Sequence, residues 1–90
     1  MRKSYRFVVT GRVQGVFFRQ SSRRQALDLG LDGWVRNRDD GAVEGVVAGS
    51  QDALDAFATW LRRGPRAAQV QALDWAETGQ TPAAGYEVRR

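Results

Sequence analysis

The 90-residue chain contains no cysteine and no histidine. Without cysteine there is no disulfide, no thiol nucleophile and no thiolate ligand. Without histidine there is no Ser-His triad, and zinc sites built on either residue are excluded. Chemistry is left to carboxylates, arginine, asparagine, hydroxyls, Lys3 and backbone amides. Long apolar runs are also missing: none approaches the roughly 20 residues of a membrane helix. The opening Met1-Arg2-Lys3-Ser4-Tyr5 lacks the apolar stretch of a secretory signal. These absences predict a cytoplasmic protein with no membrane partner. The length fits one domain, residues 1–90, taken as a monomer.

Lysine is nearly absent as well, since thirteen of the fourteen cations are arginine. Genomic composition accounts for such a bias, and so does planar, two-pronged recognition of phosphate or carboxylate. Charge placement is more informative. Residues 1–38 hold nine cations against two acids, Asp28 and Asp32, whereas residues 39–90 hold five against eight. An anionic ligand is drawn toward the first half.

Residues 5–13 alternate as a strand, with Phe7, Val9 and Val13 on one face. A break at residues 14–19 precedes a short helix that Ser21 or Ser22 can cap and Gly30 can close. Residues 33–38 read as a second strand, Asp39-Asp40-Gly41 as a hairpin turn, and residues 42–48 as a third strand with Val43 and Val47 inward. Ser50 opens a second helix to about Arg63, its core stripe Leu54, Phe57, Ala58 and Leu61, and Gly64-Pro65 stops it. Val70, Leu73 and Trp75 do not share one alternating phase, which predicts a bulge. Tyr86-Glu87-Val88 forms a last strand. The order predicts an α+β, ferredoxin-like βαββαβ sandwich, an antiparallel sheet with two helices on one face.

Two places stand out. In the first, Gly11-Arg12-Val13-Gln14-Gly15-Val16-Phe17-Phe18-Arg19 joins a strand to a helix. A tight loop entering a helix N-terminus can aim several N–H groups at one anion. Gly15 permits the turn, and Arg19 can add a bidentate contact. A plain turn glycine and a solvated arginine are the competing interpretation. Phe17 and Phe18 are expected to anchor the loop, with at least one of them buried. The second place is Asn37, a poor strand former ahead of a hairpin. It either bonds its own turn or, sharing a face with Val35, presents a neutral amide to a water and a phosphate oxygen. The Asp39-Asp40 pair is explained by its turn, and no metal is expected there. Trp34, Trp60 and Trp75 read as core or half-buried packing.

Thr10–Arg19 as a run resembles the signature of the acylphosphatase family, and Gly30–Glu44 resembles that family's second block. Gly64-Pro65, Ala68, Val70 and Tyr86-Glu87-Val88 match its later pattern. The resemblance implies hydrolysis of acyl phosphates to a carboxylate and inorganic phosphate. It implies that Arg19 binds phosphate, that Asn37 orients the attacking water, and that the backbone of Gln14, Gly15, Val16, Phe17, Phe18 and Arg19 forms the phosphate loop. It implies no cofactor and no metal, with an acyl phosphate as substrate and phosphate or sulfate as ligands. The alternative is a basic ferredoxin-like module binding RNA or another anion without catalysis. Against it, the paired-aromatic motif of RNA-binding sheets is absent, so no specific nucleic-acid partner is expected.

Overall fold

The computed structural model describes residues 2–90. Its elements run β1 (Arg2–Arg12), α1 (Phe18–Asp28), β2 (Asp32–Asn37), β3 (Val43–Ser50), α2 (Gln51–Arg63), β4 (Gln69–Glu77) and β5 (Tyr86–Val88). They build one five-stranded sheet in the order β4-β1-β3-β2-β5. β1 and β2 are therefore separated by β3, and β3 and β4 by β1. These two interleaved βαβ crossovers are the ferredoxin-like arrangement expected from the sequence.

One expectation needs correction. The sheet is mixed: β2 and β5 pair in parallel while the other three pairs are antiparallel. β4 ends at the edge of the sheet opposite to β5. The chain crosses under the strand ends through residues 78–85 and starts β5 in the direction of β2. The β2 strand does not lie beside β1, because β3 stands between them. Both strands nevertheless point the same way with a single strand between them. At roughly 5 Å per strand spacing, their C-terminal ends lie on one edge of the molecule, about 10 Å apart.

One face of the sheet carries the core. Phe7, Val9, Val35, Val43 and Val47 meet Leu54, Phe57 and Leu61 of α2 and Phe18 and Ala26 of α1, all at most 2% exposed. The predicted stripe of α2 is buried, and Ser50 caps that helix by accepting from the Ala53 N–H at 3.3 Å. The expected bulge lies in β4. Val9 faces Leu73 and Thr10 faces Ala72, but Gly11 faces Val70, so Gln71 is the extra residue. Among the described residues, no helix is long and apolar enough to cross a membrane.

Helix α1 starts earlier than the serines suggested. Phe17 occupies the N-cap position, with no side-chain cap, and the first ladder bond runs from the Ser21 N–H to the Phe17 carbonyl at 2.9 Å. Ser22 lies inside the helix and is fully buried. At the other end the Leu31 N–H bonds the Ala26 carbonyl at 2.8 Å and the Gly30 N–H bonds the Leu27 carbonyl at 3.1 Å. Gly30 takes φ +71°, the left-handed closure its position predicted.

Candidate active site

The strand directions bring four pieces of chain to one edge of the sheet. These are the exit of β1, the loop of residues 13–17 with the start of α1, the end of β2, and the end of β5. An opening of about 240 Å³ lies there, lined by Val13, Gly15, Phe17, Phe18, Arg19, Gln20 and Asn37. The two side chains singled out in the sequence, Arg19 and Asn37, thus meet at one opening although 18 positions apart in the chain. Of the expected loop, Gly15, Phe17, Phe18 and Arg19 line it. Val16 is buried beneath, and Gln14 is directed elsewhere.

The loop is held from both sides. Gln14 Nε2 donates to the carbonyls of Arg38 at 2.7 Å and Ala42 at 3.0 Å, clipping the loop to the β2–β3 hairpin. Val13, Val16 and Phe18 are buried. The Phe18 ring packs on Trp60 with centroids 5.4 Å apart, and a Cβ on Gly64 would come within 2.7 Å of it. Phe18 is the anchor the sequence predicted. Phe17 is not: it is 80% exposed.

Gly15 and Phe17 both have positive φ, +74° and +60°. Among the described residues, no protein acceptor takes the N–H of Gly15, Val16, Phe17, Phe18, Arg19 or Gln20. These are loop amides followed by the free first-turn amides of a helix, a set of donors with the positive end of the helix dipole behind it. No acidic residue stands in the first turn of α1 to compete for them. Arg12, Arg19, Arg23 and Arg24 have no carboxylate partner among the described residues. The local field therefore favours an anion.

Arg19 is half-buried, and its Nη1 donates to the carbonyl of Arg89 at 2.6 Å, just beyond β5. This bond fixes the plane of the guanidinium and leaves its other N–H groups for a ligand. Behind it, Ser22 Oγ donates to the Arg19 carbonyl at 2.7 Å and lies 3.2 Å from the Tyr86 hydroxyl, both side chains being buried. Burial pushes the Tyr86 phenol above its ordinary range, the bond to Ser22 acting in the opposite sense. In the sequence Gln14 counts as loop backbone and Ser22 as a possible cap; the supporting roles of the Gln14, Ser22 and Tyr86 side chains and of the Arg89 carbonyl are not legible there. The one sequence signal for any of them is the spacing of Ser22, four residues before the apolar Ala26 on the same helix face.

Asn37 ends β2 on the core side, opposite Val43. The turn that follows does not use it. Arg38 N–H bonds the Ala42 carbonyl at 2.8 Å, Gly41 N–H bonds the Arg38 carbonyl at 3.2 Å, and Asp40 Oδ1 accepts from the Ala42 N–H at 3.1 Å. Among the described residues no group bonds the Asn37 amide, which is half-buried at the opening. Nor does any group of three or more acidic residues converge to hold a metal ion among the described residues.

The model of one family, acylphosphatase, matches residues 5–88. The chain belongs to the acylphosphatase family. A curated acylphosphatase of Alkalilimnicola ehrlichii is 49% identical over 88 residues, covering 98% of this chain and 99% of that one. Among solved structures, an acylphosphatase from Coxiella burnetii superposes with a TM-score of 0.94 at 39% identity, covering 98% and 93% of the two chains. The acylphosphatase from Bacillus subtilis superposes at 0.92, with 34% identity and full coverage of both. The sandwich is thus an acylphosphatase fold, and the chain is an enzyme of that class.

Proposed function

We propose that this acylphosphatase cleaves acyl phosphates by direct attack of water on phosphorus. The loop amides and Arg19 hold the phosphoryl oxygens, and Asn37 holds the water. The observation that carries the assignment is the Asn37 amide. It is half-buried, unused by its own turn, and shares an opening with Arg19 and a run of free N–H groups.

The chemistry asks little more. The leaving group is a carboxylate, so it departs without a general acid. Catalysis then rests on positioning and on neutralising the equatorial oxygens. The water oxygen bonds to phosphorus, the bond from phosphorus to the acyl oxygen breaks, and the electron pair leaves with the carboxylate. The water proton passes to a phosphoryl oxygen of the substrate, because no residue lining the opening is a histidine, cysteine or carboxylate. Asn37 accepts from the water through Oδ1 and donates through Nδ2 to a phosphoryl oxygen, holding the two in line. No metal enters any step.

The basic-module alternative has less support. On the sheet face turned away from the helices, Arg2, Arg6 and Arg36 each pair with a carboxylate, Asp32, Asp74 and Glu44. Such a face offers a nucleic-acid backbone little free positive charge. The deciding measurement is phosphate release from benzoyl phosphate by the purified chain and by Arg19→Ala. Release well above the spontaneous rate is expected from the first, and a loss of several orders of magnitude from the second. Equal rates for the two would remove Arg19 from the mechanism.

A further inference from the structure

The mechanism uses the backbone of Phe17 and leaves its side chain unexplained. That side chain is an anomaly in two ways. It is 80% exposed, more than the other exposed large hydrophobic residue among those described, Leu27 at 47%. It is also the one non-glycine residue among those described with positive φ, at φ +60° and ψ +26°. A bulky residue in the left-handed region is strained, and glycine or asparagine would meet the same backbone demand more easily. An exposed ring gains no burial to offset that strain. Phe18, the next residue, already anchors the loop. The ring of Phe17 therefore serves neither the turn nor the core, and it stands at the mouth of the opening that holds Arg19 and Asn37.

We propose that Phe17 is the specificity residue for the acyl half of the substrate, its ring stacking on flat or bulky apolar acyl groups and favouring them over acetyl. The inference rests on the acyl-phosphate reading above and adds the substrate class. The opening of about 240 Å³ falls below the usual size of a pocket that encloses a whole ligand. With the phosphoryl group against the amides, the acyl group extends over the lip, where Phe17 is the exposed apolar surface. An aromatic acyl group covers the ring and recovers the burial that the free protein lacks. An acetyl group is too small to do so, and a charged acyl group would have to be dehydrated against it.

The test is kcat/KM for benzoyl phosphate and for acetyl phosphate, with the full chain, Phe17→Asn and Phe17→Leu. Asparagine suits the left-handed backbone and removes the ring, and leucine keeps an apolar surface without the flat face. The benzoyl-to-acetyl ratio is expected to fall on the order of five- to tenfold in Phe17→Asn, mostly through KM, and by less in Phe17→Leu. Competitive inhibition by inorganic phosphate, measured alongside, should stay within about twofold and so report an intact amide loop. An unchanged ratio overturns the proposal. So does an equal loss on both substrates together with weaker phosphate inhibition, which would make Phe17 a loop-shaping residue. If the unaltered chain hydrolyses neither substrate, the acyl-phosphate reading itself fails. If it hydrolyses both and the ratio does not respond, only the role of Phe17 fails.

Discussion

The roles proposed for Arg19 and Asn37 make different demands on the reaction, and kinetics can separate them. In the proposed mechanism Arg19 meets the phosphoryl group in the ground state and the transition state alike, whereas Asn37 acts more on the water than on the substrate. Asn37→Ala should therefore lower kcat on the order of 10²–10³-fold with KM nearly unchanged. Asn37→Asp keeps the size but sets a negative charge beside a phosphate, so it should weaken phosphate inhibition as well. If Asn37 only shaped the hairpin, Asp would be tolerated and both variants would lose stability rather than turnover; Asp40, which does bond the turn, makes that outcome unexpected. The buried Tyr86–Ser22 pair gives a second residue-scale forecast. Its phenol is raised from the ordinary 10.0 by burial. Above pH 10 the unfolded chain releases that proton while the folded one keeps it, so stability is intact below pH 10 and declines as pH rises beyond it. The decline is about 1.4 kcal/mol per pH unit from this group. Tyr86→Phe should abolish that part of the alkaline loss in melting curves. At neutral pH it should cost only about 1 kcal/mol, because Ser22 keeps its bond to the Arg19 carbonyl.

At the scale of elements, the site depends on how α1 begins and ends. Its start is uncapped by any side chain, which leaves the first-turn amides free for a ligand at some cost to the helix itself. Its end is correspondingly firm, with two reversed hydrogen bonds around Gly30 and buried Ala26 and Leu31 on either side. A Cβ at Gly30 meets nothing within 4 Å, so Gly30→Ala tests backbone conformation alone. It should cost about 1–2 kcal/mol in denaturant unfolding, and Gly30→Asn less. If alanine is harmless there, the left-handed closure is not what fixes the end of α1. The Gln14 clip couples the loop to the hairpin, so the start and the end of the β1-α1-β2 crossover face each other across one rigid opening.

For the whole molecule, the test of a preformed anion site is thermodynamic. A ligand that binds only the folded state raises its stability by RT ln(1 + [L]/Kd), about 2.7 kcal/mol at a hundredfold excess over Kd. Inorganic phosphate or sulfate should therefore raise the Tm of the chain, and Arg19→Ala should remove most of the shift. Equal protection of that variant would put the anion elsewhere on this arginine-rich surface. EDTA should leave turnover intact, since no acid lines the opening and, among the described residues, no group of three or more acids converges to hold a metal ion. Activity lost to EDTA and restored by a divalent cation would require a different mechanism.

The sequence by itself determined what local rules govern. The α2 stripe is periodic, Ser50 is a capping residue, Gly30 supplies a left-handed closure, and three apolar residues out of phase in β4 require an extra one. Each follows from spacing and backbone preference within a few residues. It also set the chemistry available, by omitting cysteine and histidine, and named Arg19 and Asn37 through the resemblance of two blocks. Tertiary structure decided the rest. The parallel β2–β5 edge depends on which way the chain crosses after β4. The meeting of Arg19 and Asn37 depends on β1 and β2 pointing the same way across an intervening strand. The burial of Phe18 beside the exposure of Phe17 is decided by a backbone turned left-handed at one residue, which sends two identical side chains in opposite directions. A sequence pattern cannot distinguish them, because only the packed core says which of two adjacent rings it has room for.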